Sequence, residues 1–481
     1  MRRESGIDYE PVIGLEVHAQ LSTRSKMFCG CPSVFGAEPN TMVCPVCLGL
    51  PGVLPVVNRE AVSMAVMLGL ALRCRIEATS MFARKNYFYP DCPKNYQISM
   101  YEMPLCVDGR VDLATDGESR HIGIERIHLE EDAGKLIHGS GDSSLVDFNR
   151  CGIPLVEIVS RPDIRSAAEA AEFLVRLRRI LRYLGICDGN MEEGSLRCDV
   201  NVSLKEAGSD RLGTKTEIKN LNSFKAVETG IRSEIDRQTE ILDKGGRIVQ
   251  VTNLWDADGK RLVEMRSKEF AHDYRYFPEP DLPVLKIERQ LIEKIKSELP
   301  ELPFDREVRF REEYGLTAYE SGVLCAERGV ADYYESLVRA SGDPKAGSKW
   351  VMREVLGELK SAGMEIEEFP LEPDRLAKLI VLVLDETISG PAGRDVFREM
   401  VRTGEDAEAA VARLGLRQVS DKGEIESIVD VVLRENPREV KRYREGKTKL
   451  LAFFVGQVMK LSGGKANPKV AGDIIRSRLV D

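Results

Sequence analysis

Between Pro11 and His18, apolar and polar side chains alternate as in a strand, with Glu16 and His18 on one of its faces. A second β-type run, Pro154 to Val159, is apolar except for Glu157. Two other stretches show helical spacing. One covers about Ile164 to Leu184. The other starts after Ser223, a good N-cap, places Val227, Ile231 and Ile235 on one face, and stops at Gly245-Gly246. Two clear helices among many short strands predict an α+β domain on an antiparallel sheet over residues 1–293. The Pro-rich segment Phe277 to Pro283 marks its exit. Residues 294–403 carry a helical pattern, broken near Ser341-Gly342-Asp343-Pro344 and Phe369-Pro370. Residues 404–481 follow as short amphipathic helices, two of them starting at Asn436-Pro437 and Asn467-Pro468.

At 481 residues, 43% hydrophobic and 31% charged, the chain has globular composition and is long enough for about three domains. It contains no run of 18 apolar residues, so no membrane span is expected, and Met1 to Ser5 opens no signal-peptide pattern. Eleven cysteines, an odd number with four clustered, point to a reducing, cytoplasmic setting. The net charge of −9 argues at first against a nucleic-acid partner, because phosphate binding needs concentrated Lys and Arg. Its distribution reverses that. Arg434 to Asp481 holds 12 Lys/Arg against 5 Asp/Glu, a net of +7, which leaves −16 for residues 1–433.

Cys29-x-Cys31, twelve residues, and Cys44-x-x-Cys47 supply four thiolates in two close pairs. That pattern suits a closed, tetrahedral, structural zinc site, with Pro45 and Gly49 to Gly52 supplying the turns. The seven scattered cysteines read as small packed hydrophobes.

Acids recur in five segments: Glu16 with His18, His128-x-Glu130 followed by Glu131-Asp132, Glu157, Glu192 to Asp199, and Glu217. A lone Glu157 in an apolar run is costly without a partner. Oxygen ligands spread over several strands suit Mg²⁺. Cations accompany them at Arg84, Lys85, Lys94, Arg126, Arg197, Lys219, Arg266 and Arg275. Acids for a metal beside Lys and Arg for phosphate suit phosphoryl transfer. Yet the chain has neither a GxxxxGK[ST] loop nor a GxGxxG loop, and neither a GxSxG elbow nor an HExxH helix. Glycosidase chemistry by paired carboxylates stays open on the acids alone, though the cations argue against it.

The strings Val12 to His18, Phe82 to Asp91 (FARKNYFYPD), Ile127 to Gly134 (IHLEEDAG), Met191 to Asp199 (MEEGSLRCD), Lys219 to Phe224 (KNLNSF) and Asp273 to Asp281 (DYRYFPEPD) closely resemble the B subunits of aspartyl/glutamyl-tRNA amidotransferases. Leu451 to Lys460 and Gly463 to Pro468 (GGKANP) extend the resemblance into the tail. It implies a cradle domain related to glutamine synthetase-like folds (1–293), a helical linker domain (294–403) and a small YqeY-like tail (404–481). It also implies a ligase reaction on mischarged Glu-tRNA(Gln) or Asp-tRNA(Asn). ATP activates the side-chain carboxylate. Ammonia from a separate amidase-type glutaminase then gives the amide, and a small third protein braces the heterotrimer. By resemblance, Glu16, His18, Glu131 and Glu217 form the Mg²⁺ shell, with Glu130, Glu157 and Asp199 as further members. Lys85 and Arg197 hold phosphate or the acyl group. Lys441, Arg442, Arg444, Lys447, Lys449, Lys460 and Lys465 would meet the tRNA backbone. Two other readings stand beside this one: a non-catalytic tRNA-binding module, and the archaeal E-type relative, whose extra inserted domain 481 residues cannot accommodate.

Overall fold

A computed structural model describes residues 8–115, 118–138, 143–267, 274–418, 422–463 and 466–480. The chain divides into two compact units, Met1–Pro303 and Phe304–Asp481. The first is built on one nine-stranded sheet. Its strands are β1 (Tyr9–Gln20), β2 (Arg75–Ile76), β3 (Cys106–Thr115), β4 (Glu118–Glu131), β5 (Pro154–Ser160), β6 (Leu196–Glu206), β7 (Thr216–Lys219), β8 (Val251–Asp256) and β9 (Arg261–Ser267). Their spatial order is β9-β8-β7-β6-β1-β5-β4-β3-β2. Three helices pack against this sheet: α1 (Arg59–Ala71), α2 (Ala167–Tyr183) and α3 (Phe224–Asp243).

All neighbouring strands run antiparallel except β7 and β8. The sheet expected to be antiparallel therefore contains one parallel pair. The cause is local. Helix α3 joins β7 to β8, and a helical crossover returns the chain in its original direction. Asn220, with φ of 66°, ends β7 in a left-handed turn, and Ser223 caps α3 by accepting from Ala226 N at 3.1 Å. Gly245, with φ of 71°, ends that helix where the Gly-Gly pair predicted.

Strand β1 shows why the sheet has two different faces. Ile13, Leu15, Val17 and Ala19 are buried, while Glu16, His18 and Gln20 are only partly covered. Each fully buried Ile, Leu or Val contributes about 1.5–3 kcal/mol. The apolar face thus holds the strand in place and leaves the polar face for chemistry.

The second unit is helical and contains two hydrophobic cores. One gathers residues from Phe310 to Val411, the other residues from Ile425 to Leu479. Ala407, Ala410 and Val411 belong to the first core. The expected helix starts at Asn436-Pro437 and Asn467-Pro468 are both present, but their asparagines differ. Asn467 Oδ1 caps its helix, accepting from Lys469 N at 2.9 Å. Asn436 makes no such cap. Its amide turns back and donates to Val432 O at 2.8 Å. Among the described residues, no helix is long and apolar enough to cross a membrane.

Candidate active site

Strand register turns the scattered acids of the sequence into a floor. Asp199, Glu16, Val159 and Arg126 lie side by side across β6, β1, β5 and β4. Arg197, His18, Glu157 and His128 form the next row. Glu217 on β7 stands opposite Asn201 on β6. Directly paired residues of antiparallel strands point to the same face. All these side chains except Val159 and Asn201 line one cavity of about 650 Å³.

The heart of the floor is a ring of two histidines and two glutamates, with His128 and Glu130 buried and His18 partly covered. His18 Nε2 lies 3.3 Å from Glu130 and 3.2 Å from Glu157. His128 Nε2 lies 3.3 Å from Glu157. The Ser99 hydroxyl donates to Glu130 Oε2 at 3.1 Å. Burial alone would lower both imidazole pKa values. The Glu157 and Glu130 carboxylates outweigh it and raise His18 to about 10 and His128 to about 9. Burial would likewise raise the two carboxyl groups, but the histidines hold both well below the usual range. The ligand atoms of His18, Glu130 and Glu157 all lie within 4.8 Å of one another, close enough to share one ion.

Cations surround this ring, and each is held. Asp132 Oδ1 pins the Arg197 guanidinium at 3.0 Å, and Gln20 Nε2 donates to the other oxygen at 2.8 Å. Lys219 Nζ bridges Asp199 at 2.8 Å and Glu217 at 3.7 Å. The Thr252 hydroxyl donates to Glu217 Oε2 at 2.9 Å. Asn201 Nδ2 donates to Glu16 at 3.0 Å. A small three-stranded sheet of Ala83–Asn86, Tyr96–Ser99 and Phe277–Pro278 carries Lys85 to the cavity. Its ammonium sits 4.9 Å from the centre of the Tyr274 ring. Tyr101 and Tyr276 stack nearby at 4.2 Å. Arg84, next to Lys85, instead grips buried Glu279 with two hydrogen bonds of 2.7 and 2.8 Å.

Of the residues expected at the site, Glu16, His18, Glu130, Glu157, Asp199, Glu217, Lys85 and Arg197 are brought together in the cavity. Glu131 is not. Strand alternation turns it away from Glu130. There it is buried, paired with Lys94 and accepting from Ile98 N at 2.9 Å. Thr252 and Tyr276 also line the cavity without having been singled out in the sequence, and so do His128 and Asp132, which the sequence placed in the acid constellation but not among the assigned site residues. Arg126 and Lys219 line it too, where the sequence placed them only among the accompanying cations. The His128-x-Glu130 spacing was a signal for His128. The others depend on register. The side chain of Arg266 lies outside the described residues.

Cys29, Cys31, Cys44 and Cys47 converge, with their four Sγ atoms within 4.8 Å of one another. Tetrahedral zinc with Zn–S near 2.3 Å needs S–S separations of about 3.8 Å, so the cluster is compatible with structural zinc. The pKa of Cys47 is held at about 5, first by a hydrogen bond from the Cys29 thiol and further by the Cys44 backbone and Lys26. The other seven cysteines are buried and none is in a disulfide. In the tail, Lys441, Arg442 and Arg444 lie on helix Pro437–Arg444, with Lys447 and Lys449 in the turn after it and Lys460 on helix Leu451–Leu461. All six are exposed. Lys465 lies outside the described residues.

A mostly antiparallel sheet with acids and fixed cations on one face, followed by helices with a basic tail, defines an α+β protein that gathers charged groups on one face. Comparison with known families makes this particular. Residues 11–293 match the GatB/GatE catalytic domain, and residues 332–479 match the GatB domain. The B subunit of the aspartyl/glutamyl-tRNA(Asn/Gln) amidotransferase of Chlorobium phaeobacteroides is 54% identical over 473 residues, 98% of this chain and 100% of its own. That of Thermodesulfovibrio yellowstonii is 54% identical over 469 residues (98% and 99%), and that of Carboxydothermus hydrogenoformans 52% over 476 (98% and 99%). The chain belongs to the family of aspartyl/glutamyl-tRNA(Asn/Gln) amidotransferase B subunits.

Proposed function

We propose that this chain activates the side-chain carboxylate of Glu-tRNA(Gln) or Asp-tRNA(Asn) with ATP and converts it to the amide. Ammonia would come from a separate amidase-type glutaminase, within a heterotrimer that a small third protein braces. The observation that carries this reading is the cavity floor, where metal-type ligands and pinned cations share one face of one sheet.

A carboxylate is a poor electrophile until its oxygen becomes a leaving group. Joining it to ATP brings two anions together, and the site must offset their charge. The donor set fits Mg²⁺, since His18, Glu130 and Glu157 converge while Glu16, Asp199 and Glu217 line the adjoining rows. Bound there, Mg²⁺ would supply electrostatic stabilisation of the transferring phosphoryl group. Arg197, already oriented by Asp132, would take phosphate or the acyl oxygen without reorganising. Lys85 would serve the same group from the small three-stranded sheet, which lines the cavity opposite the floor as its roof. Glu131 would act by holding Lys94 rather than as a ligand. Tyr101, Tyr276 and the roof would limit water, which otherwise hydrolyses an acyl phosphate. The exposed cations of the tail, Lys441 to Lys460, would meet the tRNA backbone, and the four-thiolate loop would be structural. Relation to glutamine synthetase-like folds remains part of this proposal.

The test uses the reconstituted complex with mischarged tRNA, ATP and glutamine. Glu130→Gln abolishes ATP-dependent amide formation, at least about 100-fold by the usual size of such electrostatic losses, and leaves tRNA binding intact. Retained amidation would remove Glu130 and the ring from the mechanism.

A further inference from the structure

Lys26 is fully buried, at 0% exposure, one residue before buried Met27 and three before the first cysteine of the thiolate cluster. A buried ammonium is costly unless hydrogen-bonded and neutralised. Its partners are Cys47 Sγ at 3.7 Å and the carbonyl of Phe148 at 3.5 Å. Among the described residues, no carboxylate lies within ion-pair distance of it. A zinc ion on four thiolates carries a net charge of −2, and Cys47, the buried one of the four, most needs a counter-ion for its share of that charge.

We propose that Lys26 is the built-in counter-cation of the four-thiolate site, setting how tightly the metal is kept through a charge-assisted hydrogen bond to Cys47. The local fold supports the assignment. Lys26 N donates to Cys31 O at 2.9 Å, so the residue is tied to the loop whose charge it balances. Met27 N donates to Gly152 O at 2.7 Å, and the Cys151 thiol donates to Cys47 O at 3.2 Å. The ammonium therefore joins the metal loop to the 148–152 turn. That turn leads directly into β5, the strand that carries Glu157. Lys26 is a positioning residue, acting through the thiolate and touching no substrate. The inference rests on the zinc reading but assigns a residue that the cysteine spacing does not.

The test reads the metal, not the reaction. Full-length protein is loaded with zinc, and release is followed with a chelating dye. A parallel sample is loaded with cobalt, and the thiolate-to-cobalt charge-transfer band is recorded. Lys26→Met releases zinc on the order of 10- to 100-fold faster, the usual effect of losing an outer partner of a metal ligand. Its cobalt band shifts to lower energy, because a thiolate relieved of its donor is more electron-rich. Lys26→Gln keeps a donor without the charge and falls between; it also serves should the methionine variant not fold. A cobalt band unmoved in the variant, whatever the release rate, overturns the proposal while leaving the site. Wild-type protein that takes up neither metal removes the site and the inference together.

Discussion

Single residues at the site matter mainly through the charge each imposes on its neighbours. Glu157 sits between His18 and His128, and neutralising it removes the strongest influence keeping either imidazole protonated. In metal-free protein the two should titrate near 10 and 9. Glu157→Gln should bring both down by more than about one pH unit, as read by NMR of the imidazole protons. The sign of the stability effect follows. Both folded values lie above the ordinary 6.5, so the histidine contribution is complete below about 6.5 and is lost as pH rises through 9 to 10. On the acid side, Glu130 and Glu157 contribute above the usual carboxylate range and lose that contribution as pH falls well below it. Melting temperature of the metal-free first unit should therefore decline from neutral pH upward, and less steeply in Glu157→Gln. Glu157 could be singled out in the sequence because a charge in an apolar run demands a partner. Asp132 could not, since its role of pinning Arg197 depends on where β4 ends relative to β6.

Elements decide which of two adjacent acids is useful. Glu130 and Glu131 are indistinguishable by composition, yet alternation on β4 gives one to the cavity and the other to Lys94. Helices α2 and α3 and strands β1 and β5 were legible because their periodicity is local, whereas α1, buried along most of its length, shows no such one-sided pattern and was not read. Helix α2 starts at Ser166 and α3 at Ser223, each with a capping hydroxyl. The parallel pairing of β7 with β8 was not legible, because it depends on where α3 returns the chain. The roof is held by another non-local device, the Arg84–Glu279 pair, which joins segments 195 residues apart. The Glu279 side chain is completely covered, so Arg84→Ala strands a buried carboxylate and should cost about 3–5 kcal/mol in denaturant unfolding of the first unit. The double variant with Glu279→Gln should recover much of that loss. If the single variant costs under about 1 kcal/mol, the pair is no staple.

For the whole molecule, the mean charge misleads and the distribution informs. The acidic body carries the floor, and the basic excess sits in the last helices, whose core from Ile425 to Leu479 is separate from the one before it. A chain ending at Arg417 should keep the first helical core and lose affinity for tRNA. The loss should be larger at low salt, because backbone phosphate contacts dominate there. Unchanged affinity of the truncated chain at low salt would return the tail to a purely structural role. The feature with the widest consequence is the division of labour on β1, whose two faces belong to the core and to the site. Because its side chains repeat every two residues, inserting or deleting one residue exchanges the faces beyond that point, driving acids inward and Leu or Val outward. Substitution can trade one polar residue for another there, but a change of length damages stability and chemistry in the same stroke. The length of this strand should therefore be the most strictly inherited property of the fold, more so than the identity of any single acid upon it.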